Sequence, residues 1–443
     1  MEAVSNYLCI AAFALMAVPT ARAAARGSSA ISTYQFSSGV LAPRAERVGP
    51  DERYSDQRGF GFESGTVPHL TRDGTAITAS QPFYFSVKLP DGNYNVTVTF
   101  GDTAAGSQNS VKAEDRRLML KSVITQPGQV VTRRFTVNIR TPQISGGGLV
   151  HLKEREIGPP LEKDWDDRLT LEFNGKQPAV QAVEVEPAQH ATTVYLLGDS
   201  TVTDQPDEPW CSWGQMLPRF FRAGIAIANN ANSGETLRRF MGSNRLAKVL
   251  STMQPGDYAF IQFGHNDQKE HGPGIGPFTS YKHDLEYFIT QIRHRGGHPV
   301  LVTSMNRRRF NSAGKIVNTL GDYPAAVRLT AAQQHVPLID LNAMSKVLFN
   351  ELGPQGTLHA FVHYPANTFP NQPKPLKDDS HFNGYGAYEL AKCVVQAIIE
   401  ARLPITSLLK DQNFHFDPSH PDPFSAYHIP PSLSISEVKP AGS

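Results

Sequence analysis

The sequence predicts two joined architectures, an all-β sandwich or jelly roll followed by a three-layer α/β/α sandwich. Three observations carry that expectation. Apolar residues keep period two over much of residues 34–187, continuous apolar runs alternate with helix-length stretches after His190, and 443 residues are too many for one ordinary domain.

In the first half, residues 83–89 (FYFSVKL), 94–100 (YNVTVTF), 131–139 (VTRRFTVNI), 169–173 (LTLEF) and 180–185 (VQAVEV) concentrate β-branched and aromatic side chains. Pro90-Asp91-Gly92 and Gly146-Gly147-Gly148 supply turns between such runs, and no strong helix pattern interrupts them. This places a β domain over residues 30–188. No aromatic platform for sugar is legible in it, so its expected role is structural.

In the second half, residues 194–197 form an unbroken apolar run, as a parallel strand buried on both faces requires. Similar runs lie at 225–228, 258–263, 299–303 and 336–341, and helix-like stretches fall at 213–222, 237–250, 281–295 and 323–334. Strand–helix alternation implies right-handed βαβ units. A helix over 386–401 closes this α/β domain, which spans residues 191–410. Residues 411–443 are proline-rich and are predicted to lack regular structure.

Residues 8–19 are apolar but too short to span a bilayer, and Ala21-Arg22-Ala23 offers the small residues that signal cleavage needs. Residues 1–23 therefore read as an export signal, although Glu2 stands where a basic residue is usual, and the expected location is secreted or periplasmic. No later run predicts a membrane span. A formal net charge of +1 gives no reason to expect a nucleic-acid or anionic-membrane partner. Cys9 falls within the signal; Cys211 and Cys393 either pair or are simply buried.

Ligands in open α/β sheets bind at the carboxyl ends of the strands. There the sequence carries Gly198-Asp199-Ser200-Thr201 after the first run, Asn232-Ser233-Gly234 after the second and Gly264-His265-Asn266-Asp267 after the third. Asp378-Asp379-Ser380-His381 precedes the last helix. Acyl transfer needs such a kit: a hydroxyl (Ser200), a base (His381), a carboxylate to orient that base (Asp378), and donors for an oxyanion. The backbone N–H groups of Ser200 and Gly234 and the Asn266 side-chain amide are the candidate donors. Each block alone has an ordinary reading as a cap or turn; their co-occurrence is what points to chemistry.

Those four blocks resemble the SGNH (GDSL-type) hydrolases, whose fold is flavodoxin-like. The longer runs YLLGDSTVTDQ, EPWCSWGQMLPRFF, FIQFGHNDQK and NTLGDYP are similar to the rhamnogalacturonan acetylesterase branch, including bacterial members with a β-rich, galactose-binding-like N-terminal domain. The resemblance implies Ser200 as nucleophile, His381 as base, Asp378 as its partner, and Gly234 and Asn266 completing the oxyanion hole. The Asp378-Asp379 run leaves two carboxylates to choose between, and three-residue spacing favours Asp378. The implied substrate is an acetylated pectic polysaccharide; an acetylated xylan and a non-catalytic carbohydrate-binding role are the alternatives. No cofactor is implied.

Trp210 and Trp213 either stack on sugar rings or pack the first helix. Arg307, in Arg307-Arg308-Arg309, either meets a galacturonate carboxylate or belongs to a solvated loop. The rival Asp417-Pro418-Ser419-His420 reads as a surface loop. His359 and His363 lack the acidic companions of a metal pair, so no metal site is predicted. Val202 excludes the G-x-S-x-G elbow of α/β-hydrolases.

Overall fold

A computed structural model describes residues 31–158 and 161–442, so the expected export signal lies outside the described residues. The first region folds as two sheets over one core. One sheet runs Val131–Ile139, Gly92–Phe100, Val180–Pro187, Ser32–Gln35, Ala45–Arg47, and the other Phe60–Phe62, Phe83–Lys88, Arg168–Asn174, Ser107–Ala113, Arg117–Thr125. Period-two alternation explains the packing: Tyr94, Val96, Val98 and Phe100 enter the core while Asn95, Thr97 and Thr99 stay half-buried. Phe83, Phe85, Leu171 and Phe173 meet them from the facing sheet.

The hairpin formed by Ser107–Ala113 and Arg117–Thr125 escaped the sequence reading. Its buried positions include Asn109, Lys112 and Arg117, which break the apolar alternation. They are tolerated because they are paired; Lys112, for example, bridges to Glu172 at 3.3 Å.

In the second region five parallel strands lie in the order Ile225–Asn229, Thr192–Gly198, Tyr258–Gln262, His298–Val302, Leu338–Ile339. Alternate residues of the second strand enter different cores. Val194 and Leu196 pack with Trp213, Leu348 and Leu390, whereas Tyr195 and Leu197 pack with Phe240, Phe288 and Val327. Helices therefore cover both faces, and the apolar run is continuous because neither face meets water. Strand order reverses at Thr192–Gly198, which opens a crevice at that strand's carboxyl end.

Several expected elements change length. The helix expected over 213–222 is α-helical only over Trp213–Met216 and continues as a 3₁₀ turn, Leu217–Phe220, with Pro218 within it. The stretch 237–250 splits into Leu237–Gly242 and Arg245–Thr252 around Asn244, whose φ is +63°. Only Leu338–Ile339 of the run 336–341 is extended, and a helix absent from the sequence reading, Leu341–Gly356, begins on its heels.

Among its described residues the proline-rich tail holds one 3₁₀ turn, Phe424–Ala426, but it is firmly attached. Phe416 and Ile429 are buried in the α/β core, and Lys112 Nζ donates to Pro430 O at 2.9 Å and Ser432 Oγ at 2.7 Å. The two regions are also keyed together. Arg116, in a β-hairpin turn, is buried in the α/β region and donates to the carbonyls of Gln205 at 3.0 Å and Trp210 at 2.9 Å. Cys211 and Cys393 are both free and buried.

Candidate active site

Ser200 sits just past the Thr192–Gly198 strand, in a turn rather than in a helix. Gly198 permits that turn: a Cβ there would fall 2.9 Å from Gln262 O. The N–H groups of Val202 and Thr203 both donate to Asp199 O at 3.0 Å, and Gln205 Nε2 donates to Ser200 O at 2.7 Å. Asp199 is buried and its Oδ1 accepts from Thr201 N at 2.9 Å and Thr201 Oγ1 at 2.8 Å. The serine backbone is held on both sides.

His381 lies at the end of the Leu376–Phe382 strand, which pairs with Phe361–Tyr364. Its Nε2 is 2.8 Å from Ser200 Oγ and its Nδ1 is 2.8 Å from Asp378 Oδ2. All three residues are about 2% exposed. Asp378 Oδ1 accepts from the N–H groups of Ser380 at 2.7 Å and His381 at 3.0 Å. Burial works to raise the Asp378 carboxyl, but the His381 imidazole and those two N–H groups outweigh it and hold it at about 2. Asp379, by contrast, faces Arg308 and His363 at 3.2 and 2.9 Å, with its side chain 54% exposed. The carboxylate that faces the histidine is Asp378.

The candidate oxyanion donors come from the next two strand ends. Gly234 has φ +80°, a conformation that favours glycine, and Asn266 is buried with its Nδ2 donating to Glu235 O at 3.0 Å. Asp267 ties these loops together, accepting from Leu237 N at 3.0 Å and Gly264 N at 2.9 Å, and burial pushes its carboxyl up to about 7. Ser200, Gly234, Asn266, Asp378 and His381, from four separate stretches of sequence, thus meet at the sheet's reversal point.

The two tryptophans are not sugar platforms in this structure. Trp213 is fully buried, with its Nε1 donating to Gln262 Oε1 at 2.9 Å, so it packs the core. Trp210 is 3% exposed and stands edge-on to the His381 ring at 5.9 Å, while its Nε1 donates to Ser436 O. It backs the imidazole. Arg307 is bound by protein groups, Ser380 Oγ at 3.1 Å and His265 O at 3.2 Å, and so supports the loop that carries the histidine.

Sequence reasoning missed four participants. His265 places Nδ1 3.5 Å from Asp199 Oδ2 and Nε2 3.0 Å from Met305 O, and its position inside the third block was the available signal. Lys153 and Arg155, near the end of the β-rich region, reach the Ser233 carbonyl, and no local motif marks them. Lys439, in the tail, lies 3.3 Å from Asp378 Oδ2. The tail itself lies over the site. A Cβ built on Gly442 would fall 2.8 Å from Gly234 Cα and 2.9 Å from Asn266 Nδ2, and Lys269 Nζ donates to Gly442 O at 2.6 Å.

Residues 196–387 match the family model described as GDSL-like lipase/acylhydrolase. Rhamnogalacturonan acetylesterase RhgT of Bacillus subtilis (strain 168) is 41% identical over 214 residues, 48% of this chain and 91% of that protein. The probable rhamnogalacturonan acetylesterase YesY of the same organism is 34% identical over 226 residues, 50% of this chain and 100% of that protein. The uncharacterized esterase YxiM, also from that organism, is 27% identical over 385 residues, 82% of this chain and 90% of that protein. The chain belongs to the GDSL-like lipase/acylhydrolase family and is a carboxylic ester hydrolase.

Proposed function

We propose that this protein is a secreted serine esterase that removes O-acetyl groups from pectic rhamnogalacturonan through an acetyl-Ser200 intermediate. The observation that carries the serine mechanism is the unbroken line Ser200 Oγ–His381 Nε2 and His381 Nδ1–Asp378 Oδ2, each link 2.8 Å. His381 takes the Ser200 proton as Oγ attacks the acetyl carbonyl, and Asp378 stabilises the imidazolium. The N–H groups of Ser200 and Gly234 and the Asn266 amide receive the oxyanion. Collapse expels the sugar alkoxide, protonated by His381, and a water activated by the same imidazole then hydrolyses the acetyl-serine. The family's three-layer α/β/α arrangement is the frame on which this reading places the four loops.

One observation supports the pectic substrate. The relatives RhgT and YesY bear that activity in their names. Beside Ser233 a cavity of about 230 Å³ is lined by Arg155, Lys439, Trp165 and Trp210 together with the carboxylates of Glu156, Asp204 and Asp207. Acetate release from acetylated rhamnogalacturonan and from acetylated xylan, by wild type and Ser200→Ala, tests both halves. The pectic polymer is the better substrate and Ser200→Ala loses roughly 10⁴-fold or more of the rate. Preference for xylan would overturn the substrate, and an active Ser200→Ala the mechanism.

A further inference from the structure

We infer that Lys153 and Arg155, two cations from the β-rich region, are positioning residues for the oxyanion hole, clamping and polarising the peptide whose N–H is Gly234's. This rests on the serine-esterase reading above. Lys153 Nζ donates to Ser233 O at 2.7 Å and Arg155 Nη2 donates to the same oxygen at 2.8 Å. Ser233 O and the Gly234 N–H are opposite ends of one planar peptide unit, so whatever fixes the carbonyl also fixes the N–H.

That peptide needs fixing. With Gly234 at φ +80° and no Cβ, little steric resistance opposes rotation of the Ser233–Gly234 plane. A flipped plane would aim a carbonyl oxygen into the space where negative charge develops, turning a donor into a repulsive acceptor. Two charged donors on Ser233 O hold the productive orientation, because a flip would strip both of their partner in a half-buried place. The same two cations draw electron density toward the carbonyl oxygen and make the N–H at the far end a stronger donor, the cooperative effect of linked hydrogen bonds.

The clamp is itself braced, as a preorganised element should be. Arg155 Nη2 also donates to Asn232 Oδ1 at 2.9 Å, while Asn232 Nδ2 donates to Glu156 Oε2 at 2.9 Å. Glu156 is anchored in turn by Arg245, whose Nη2 lies 2.6 and 2.7 Å from its two oxygens, and by the Lys153 N–H at 2.9 Å. Lys153 Nζ is further held by Glu235 Oε1 at 2.5 Å. Both partners of the clamp lie in or beside the short turn Glu154–Glu156, outside the α/β region. The β-rich region therefore contributes to the reaction through a backbone carbonyl while leaving the triad untouched.

The test is steady-state kinetics of the full chain on p-nitrophenyl acetate, a neutral ester, and on acetylated rhamnogalacturonan. Wild type, Lys153→Met, Arg155→Met and Arg155→Lys are compared. Loss of one direct oxyanion donor costs about 10²–10³ in kcat, so weakening a donor through its peptide should cost roughly tenfold for each Met variant. KM should stay within twofold on both substrates, and Arg155→Lys, which keeps charge and donor, should recover most of kcat. Should Arg155→Met fail to fold, Lys153→Met carries the same measurement, since that side chain is 38% exposed. Unchanged kcat in the folded Met variants overturns the inference. So does a rise in KM confined to the acidic polymer, which would make these cations substrate contacts. An active Ser200→Ala would instead remove the serine mechanism on which the inference stands, a separate outcome.

Discussion

Two stretches of this chain place an aspartate three residues before a histidine, and both close the same local hydrogen bond. Nδ1 to carboxylate is 2.8 Å in Asp378–His381 and 3.0 Å in Asp417–His420. Both carboxyls are held at about 2, for different reasons. The hydroxyl and N–H of Ser419, then His420, act on an exposed Asp417. For Asp378 burial pulls the other way and His381 with two N–H groups must overcome it. The histidine side chains are 2% and 82% exposed. What separates them is the far nitrogen: His381 Nε2 meets Ser200 Oγ, 181 residues away in sequence, while His420 stands on the surface. The Asp–His bond is thus a product of local spacing, and chemistry begins only when the fold supplies a hydroxyl on the other side.

The largest expected effect breaks the pair of motifs apart at the histidines. His381→Ala lowers kcat on p-nitrophenyl acetate by about 10⁵–10⁶, the scale of losing a triad base, whereas His420→Ala stays within twofold of wild type. Equal losses in the two variants would mean that the tail histidine participates. The aspartates extend the comparison one step down. Asp378→Asn costs about 10⁴, since an amide cannot hold the imidazole in its working tautomer or stabilise imidazolium. Asp417→Asn and Asp379→Asn leave kcat nearly unchanged; a large loss in Asp379→Asn would reassign the carboxylate.

The same contrast says what the sequence made legible. The residues nearest the chemistry were readable because strand ends in an α/β sheet converge, and Ser200, Gly234 and Asn266 each sit in a short motif at such an end, while His381 sits in a short motif before the last helix. The parallel strands were readable because burial on both faces demands unbroken apolar runs. Trp210 and Trp213 were ambiguous because an indole buries itself in a core as readily as it stacks on a sugar. Lys153, Arg155 and Lys439 were invisible, since each reaches the site by tertiary contact from distant chain. The buried hairpin 107–125 was missed because its paired polar residues erase the period-two signal.

A smaller effect concerns acid. The Asp378 carboxyl sits at about 2 in the folded chain against an ordinary 3.8, so the folded state binds its proton less readily than the unfolded one. Its contribution is fully present above about pH 4 and is lost as pH falls through about 2, a span worth on the order of 2 kcal/mol. Thermal unfolding of wild type should therefore lose stability between pH 4 and 2 more steeply than that of Asp378→Asn. Parallel profiles would show that the ion pair adds nothing to folding. Asp417→Asn, on the surface, should follow the wild-type profile closely, because exposed pairs are screened.

The smallest expected effect lies where the tail crosses the site. Gly442 rests against Gly234 and Asn266, the candidate oxyanion donors, so the expectation is that residues 439–442 move before an ester reacts. Their hold includes the pair between half-exposed Lys439 and buried Asp378 at 3.3 Å and the exposed Lys269–Gly442 hydrogen bond at 2.6 Å. Such contacts are worth roughly 1 kcal/mol, which keeps only a minority of molecules open and lowers apparent affinity about fivefold. Deleting residues 437–443 leaves the Trp210–Ser436 hydrogen bond and the Ser432 anchor intact. The deletion should raise kcat/KM on p-nitrophenyl acetate by about that factor, and Lys439→Met by less. Added salt should narrow the gap by loosening the wild-type tail, since the Lys439 end of the ion pair is half-exposed. If the shortened chain matches wild type at low salt, the tail yields to substrate without measurable resistance.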